Sequence, residues 1–335
     1  MNVAQLLVAA RNMLMAGSSN NTNIVNDPFW NDTQLLQLAN QAQRKLWLII
    51  RRAHKNYFTR TLRTTDSALT ILGQTFTPSS LAWVSGTRSY TLPPDFMRML
   101  SCTDLTASGD GDRLRLTFRD LRTEGMRALM NQSASSTPAG GFYADIVDKR
   151  TLLIRPIPAS ARDWEFIYER RLPPLRTRST GTATIANGGT TVTFSATTLA
   201  NRFMQVGDEL IFSTSMSAPT ADPSETYPVI ESVDSATQVT LEGPYYTTDG
   251  SNLTAVGFIA ARVSDIPDEL HDALVFYMVK EAFKFGPNAS LESSMLYQGM
   301  FDDQVQDIIN DVETRQLNDG EEVSPYLGDE EAALY

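Results

Sequence analysis

The sequence predicts an α+β protein: a helical bundle built from N- and C-terminal helices with short β-strands, an inserted small all-β domain and an extended C-terminal arm. Three observations predict it. One-sided helical periodicity marks both ends of the chain but not its middle. Residues 178–261 shift in composition toward Thr, Ser, Gly and Val, with Arg178 and Arg202 as their only basic residues. Beyond about residue 315 the helical pattern gives way to acidic groups. A chain of 335 residues admits one large domain or two ordinary ones, and a 42% hydrophobic content supplies a core.

The first helix places Val3, Leu6, Leu7, Ala10 and Leu14 on one face. Arg11 interrupts its apolar run and no basic stretch precedes it, so it reads as an amphipathic helix and not as a signal segment. Gly17 and the turn formers that follow end it. A second helix starts at about Asn31, which can cap it with Gln34 as reciprocal partner. Its apolar stripe is Leu35, Leu38, Ala39, Ala42, Leu46 and Ile49, with Gln37, Gln41, Arg44, Lys45 and Arg52 opposite.

The middle of the chain reads as strands over 87–92, 97–107 and 113–117, then a short helix over 119–130. Residues 142–147 and 151–155 form a hairpin turning at Asp148, Lys149 and Arg150. Trp164, Phe166 and Tyr168 alternate with Glu165, Ile167 and Glu169, the period of another strand. In 178–261, Asn187-Gly188-Gly189 separates two alternating stretches, a hairpin signal, and 206–212, 226–233 and 238–242 add strands. Helical periodicity resumes over 267–285 and again over 289–315, the latter anchored by Met295, Phe301, Val305, Ile308, Ile309 and Val312. The expected organisation is therefore a core of 1–177 and 262–315, an inserted β-domain of 178–261 and an arm of 316–335.

Charge is unevenly spread within a net −11. Residues 1–63 carry eight basic against two acidic residues, whereas 264–335 carry seventeen acidic against three basic. Such polarity suits opposed surfaces within a subunit, between neighbours or across stacked rings. The acidic chain as a whole does not attract a phosphate backbone. Its basic cluster, Arg44, Lys45, Arg51, Arg52, Lys55, Arg60 and Arg63, has Tyr57 and Phe58 interleaved. Two readings stay open: a DNA-facing surface, or a site for an acidic partner, including the C-terminal segment of a neighbouring copy.

Little in the chain speaks for catalysis. Cys102 stands alone, so neither an internal disulfide nor a cysteine-based zinc site can form within one chain, and its strand context suggests a buried thiol. His54 and His271 form no paired motif, and P-loop, nucleophile-elbow and dinucleotide fingerprints are absent. Asp268, Glu269 and Asp272 beside His271 read as first-turn acids that suit the exposed N–H groups. Asp110-Gly111-Asp112 reads as a turn, lacking the other ligands of a calcium loop. No catalytic residue, metal ligand or cofactor is expected, and the chain is read as a non-enzyme. No stretch approaches the ~18 apolar residues that span a bilayer, so no membrane partner is expected.

The runs NDPFWNDTQLLQLANQAQRKLWLIIRR, SYTLPPDFMRMLSC, STPAGGFYADIVDKRTLLIRPIPA and DIPDELHDALVFYMVKEAF, in this order, resemble the head-to-tail adaptor (connector) proteins of tailed bacteriophages. The resemblance covers about 1–175 and 262–315. The segment beginning TATIANGGTTVTFSA looks like a small β-module recurrent in phage structural proteins. The resemblance implies a structural virion protein at the head–tail junction, assembled in the host cytoplasm. It implies a homo-oligomeric ring, commonly twelvefold, under the portal protein. Such a ring extends the DNA channel, with non-specific passage of double-stranded DNA, and offers a surface to tail or nozzle proteins. Residues 316–335 occupy the place of a portal-docking arm, for which Tyr326, Leu327, Leu334 and Tyr335 are the candidate anchors. The alternative is another tail component, such as a fibre- or spike-linking protein, or a carbohydrate-active tail enzyme.

Overall fold

The computed structural model describes residues 1–16, 30–53, 56–72, 74–106, 116–118, 142–213, 215, 219, 221–222, 225–247, 250–285 and 290–319. Among them, seventeen strands are distributed over five sheets, and four longer helices flank them. The expected fold class is thereby corrected. The chain is mostly β-sheet, not a helical bundle with a small β-module. The misreading has a physical cause. Helical periodicity persists over many turns and is conspicuous, whereas most strands here have five residues or fewer and find their partners far away in sequence.

Helix α1 (Val3–Ala16) buries the predicted face of Val3, Leu6, Leu7, Ala10 and Leu14. Helix α2 (Asp32–Ala53) opens with the expected capping box: Asn31 Oδ1 accepts from the Gln34 N–H at 3.0 Å, and Gln34 Oε1 accepts from the Asn31 N–H at 3.1 Å. Leu35, Ala39, Ala42, Leu46 and Ile50 are its buried line, while Leu38 and Ile49 are only half-buried. Helix α3 (His271–Phe285) follows a 3-10 turn, and α4 (Leu291–Asp319) returns antiparallel along it. Tyr297 stacks on Phe283 and Phe301 meets Tyr277 edge-on. Met295, expected as an anchor, is exposed; Ser294, Tyr297 and Phe301 hold the phase that faces α3. The side chains of Ile308 and Val312 lie outside the described residues, as do the predicted helix over 119–130 and the turn at 110–112.

A second core lies between two sheets. One has the order β1 (Thr59–Arg63), β9 (Trp164–Arg170), β5 (Phe96–Asp104), antiparallel throughout. The other joins β4 (Ser89–Thr91), β8 (Thr151–Arg155), β7 (Tyr143–Val147) and β6 (Thr117–Phe118). The β7–β8 hairpin turns where expected, and Asp148 and Lys149 take the positive φ that a tight two-stranded turn requires. Trp83 lies at the centre, 4.7 Å from the Phe142 ring and 4.2 Å from Trp164, with Phe166, Tyr168, Phe96 and Cys102 around it. Burial pushes the Cys102 thiol well above its ordinary pKa. A small hairpin of β2 (Leu69–Ile71) and β3 (Gln74–Phe76) closes one side.

The third core lies between a five-stranded and a three-stranded sheet. The first runs β14 (Ile230–Val233), β15 (Gln238–Tyr245), β12 (Gly189–Phe194), β11 (Ala183–Ile185), β16 (Leu253–Val256). The second runs β10 (Thr177–Arg178), β17 (Phe258–Arg262), β13 (Asp208–Phe212). This second sheet is apolar on both faces. Leu210, Phe258 and Ala260 point into the sandwich, whereas Ile211, Ile259 and Ala261 pack toward the helices. Asn2 ties α1 to its edge by donating to the Glu209 carboxylate at 2.6 Å.

Candidate docking groove

Helix α2 has a second surface opposite the core. Asn40, Gln43, Arg44, Trp47, Leu48, Arg51 and Arg52 recur on it at helical spacing. Across from it stand Met97 and Arg98 of β5 and the stretch Arg171, Leu172 and Pro174 that leaves β9. Together they enclose two clefts, of about 490 Å³ beside Trp47 and about 370 Å³ beside Leu48.

Amide side chains hold the walls together. Pro173 and Pro174 have no N–H, and the chain around them leaves the sheet, so its polar groups need partners elsewhere. Asn40 supplies two of these: its Oδ1 accepts from the Leu175 N–H at 2.8 Å and its Nδ2 donates to the Leu175 carbonyl at 3.1 Å. Gln43, fully buried, donates to the Pro173 carbonyl at 2.8 Å and accepts from the Ser264 hydroxyl at 3.1 Å. The distance between α2 and the 171–175 segment is thus set by hydrogen bonds inside the protein, and the groove is preformed.

Its electrostatics are one-sided. Glu169 on β9 is 1% exposed and meets Arg51 of α2 and, at 3.3 Å, Arg98 of the neighbouring strand. Arg51 also lies over the Trp47 ring, 5.4 Å from its centroid. Among the described residues no acidic residue lines either cleft, and Arg44, Lys45 and Arg52 are exposed with no ion pair.

The predicted basic cluster therefore divides. Arg60 donates to the buried Asp95 carboxylate at 2.7 Å, and the Tyr168 hydroxyl donates to the same group at 2.9 Å. Burial and that neighbouring carboxylate push the Tyr168 phenol up. Arg63 donates to Glu165 across the β1–β9 pair at 2.7 Å. Arg51, Arg60 and Arg63 are thus engaged within the chain, and Arg44, Lys45 and Arg52 are left for other contacts. Phe58 is buried beneath Trp47 and cannot stack on a nucleobase, while Tyr57 is exposed. Lys55 lies outside the described residues, as do Tyr326, Leu327, Leu334 and Tyr335 and the arm from residue 320 onward. Sequence reading missed Trp47, Met97, Arg98, Glu169 and Arg171 as parts of one site. The one signal was Glu169 flanked by Arg170 and Arg171 at a strand end.

His54 is likewise not described. His271 is buried, its Nε2 lies 3.1 Å from the Ile266 carbonyl, and burial holds its pKa down. Among the described residues no group of three or more His, Cys, Asp or Glu is placed to hold a metal ion, and no helix is long and apolar enough to cross a membrane.

A preformed groove of cations and apolar side chains thus lies on a scaffold of three cores. The particular family follows from the sequence: the model for the SU10 adaptor protein family matches residues 1–196, more than half of the chain, and the chain belongs to that family. No curated protein matches it. Family membership makes it a structural adaptor of phage particles that contacts other head or tail proteins. The matched region holds α1, α2, the whole of the second core and the groove, and it stops beyond β12.

Proposed function

We propose that copies of this chain form a ring between portal and tail, continue the DNA channel and present the surface to which tail proteins attach. In this reading 1–177 and 262–315 are the adaptor core, 178–261 is an insertion facing away from the ring seam, and 316–335 is an arm that docks on the portal. Tyr326, Leu327, Leu334 and Tyr335 are its anchors. The observation that carries the reading, beside family membership, is a set of exposed large apolar side chains at and after the turn from α3 into α4. Phe285, Leu291, Met295, Leu296 and Met300 are 42–76% exposed. Five exposed large apolar side chains along this stretch are costly to leave in water and suit contacts between subunits. A ring also repeats each weak contact many times, so that modest single interfaces add up to firm attachment.

The test is the mass of the assembled particle, read by native mass spectrometry on the full chain and on Leu296→Glu with Met300→Glu. A closed multiple of the 37.1 kDa chain that falls to monomer in the double variant supports the seam. A wild-type chain that stays monomeric at every concentration, with and without its portal, overturns the ring.

A further inference from the structure

We infer that the groove along α2 receives the exposed face of α4 from a second copy of this chain, an inference that rests on the ring reading and names the surfaces that meet. The two surfaces match in charge and in pattern. Along α2 the groove runs from a cation through an apolar stretch to cations: Arg44, then Trp47 and Leu48 with Met97, then Arg52 and Arg98. The exposed face of α4 runs from an acid through an apolar stretch to acids: Glu292, then Met295, Leu296 and Met300, then Asp303 and Asp307. These residues recur at intervals of three to five, so they share one side of the helix. From Leu291 to Asp307 the helix contains no basic residue. Glu292, Asp303 and Asp307 are exposed with no ion pair among the described residues, as are Arg44 and Arg52. At 1.5 Å per residue, Arg44 and Arg52 stand about 12 Å apart along their helix, and Glu292 and Asp303 about 16 Å along theirs. Flexible arginine side chains take up that difference. Between the charges, methionines are the side chains best able to adapt to an irregular apolar cleft such as the one beside Trp47.

The fold prevents a chain from filling its own groove. The sides of α2 and α4 that meet within one chain are the other ones. Leu46, Ile50 and Ala53 of α2 border a small cavity together with Val305 and Ile309 of α4, and Tyr297 and Phe301 turn to α3. Two residues along an α-helix rotate the side chain by about 200°. Arg44 and Leu48 therefore point away from Leu46, and Asp303 points away from Phe301. The groove and the acidic face look away from each other, and only unpacking α4 from α3 could bring them together. A second copy meets no such obstacle. Because the two surfaces differ, each copy offers one and uses the other, which is the head-to-tail arrangement that closes into a ring when the rotation permits.

The test reverses each surface and then both, and reads the mass of the full chain by native mass spectrometry and sedimentation at low salt. One variant carries Arg44→Glu and Arg52→Glu in the groove. The other carries Glu292→Lys, Asp303→Lys and Asp307→Lys on α4. These positions are all exposed, so each variant should melt as the parent does. Each alone should need a concentration at least about tenfold higher than the parent to assemble. Mixed with each other, or combined in one chain, the two sets should assemble again, since every contact then joins opposite charges. Variants that assemble like the parent overturn this inference and leave the ring standing. Losses in both that neither mixing nor combination restores overturn it too, because the two surfaces then matter without meeting each other. A parent chain that stays monomeric at every concentration, with and without its portal, overturns the ring reading and this inference with it.

Discussion

Arg51→Met removes the guanidinium that α2 extends to Glu169 and keeps most of the aliphatic stem. Glu169 has almost no access to water, so its charge depends on Arg51 and on Arg98 at 3.3 Å. Losing one partner of a fully buried pair costs about 3–5 kcal/mol. Here Arg98 remains, but its side chain is half-exposed and its hold on the carboxylate is partly screened. We therefore expect a loss of about 2 kcal/mol from the pair. The contact over Trp47, at 5.4 Å, adds about 0.5–1 kcal/mol. The total, about 2–3 kcal/mol, is measured as a shift in the urea unfolding midpoint at fixed protein concentration. Glu169→Gln in the same assay should cost less, because the cations it strands reach solvent. The double variant should resemble Glu169→Gln alone, which is the signature of coupling. Arg52→Met, exposed and unpaired, should change stability by no more than about 0.5 kcal/mol. An Arg51→Met protein as stable as the parent, or strictly additive losses in the double variant, would refute the reasoning. It would return Arg51 to the surface cations.

Phe301→Ala should cost about 3–5 kcal/mol in chemical unfolding, since the ring is buried against Tyr277 and leaves a cavity between α3 and α4. Asn31→Ala removes one half of the capping box and should cost about 1 kcal/mol in the same assay. His271 stays neutral in the fold at a pKa held below its unfolded value near 6.5, so the unfolded chain takes up the proton first. Its contribution to stability is full above about pH 6.5 and declines as pH falls below it; His271→Gln should flatten stability over that range, as followed by thermal melts. Excision of 178–261 with a short bridge should leave a cooperative fold, though a less stable one, because Ile211 and Ile259 leave the helices with it. Loss of cooperative melting on calorimetry would move the proposed boundary.

The helices were legible because their buried faces repeat over four to six turns, and the capping box at Asn31 and the turn at Asp148 and Lys149 were legible because local geometry demands those residues. Sheet pairing was not. β1 pairs with β9 across roughly a hundred residues, and nothing in TRTLR names its partner. β17 escaped notice because FIAAR alternates between two apolar faces and so shows no polar side. The groove was half-visible. Its cations on α2 stand close together in sequence, but Arg98 and Arg171 come from the far wall. Glu169 looked like the solvent side of an alternating strand. Only the packed structure shows that two arginines cover it and that three of the seven clustered cations are already committed inside the chain.

The sheet of β10, β17 and β13 carries apolar side chains on both faces. A module joined to its neighbour by a linker can swing, and a pull on it is lost in slack before anything else moves. Here the outer sandwich and α1 grip opposite faces of the same three strands, with the bond from Asn2 to Glu209 at the rim. A displacement of the five-stranded sheet therefore arrives at α1 as displacement, stiffly and over a short path. A load on the five-stranded sheet is therefore carried to the helical layer through these three strands.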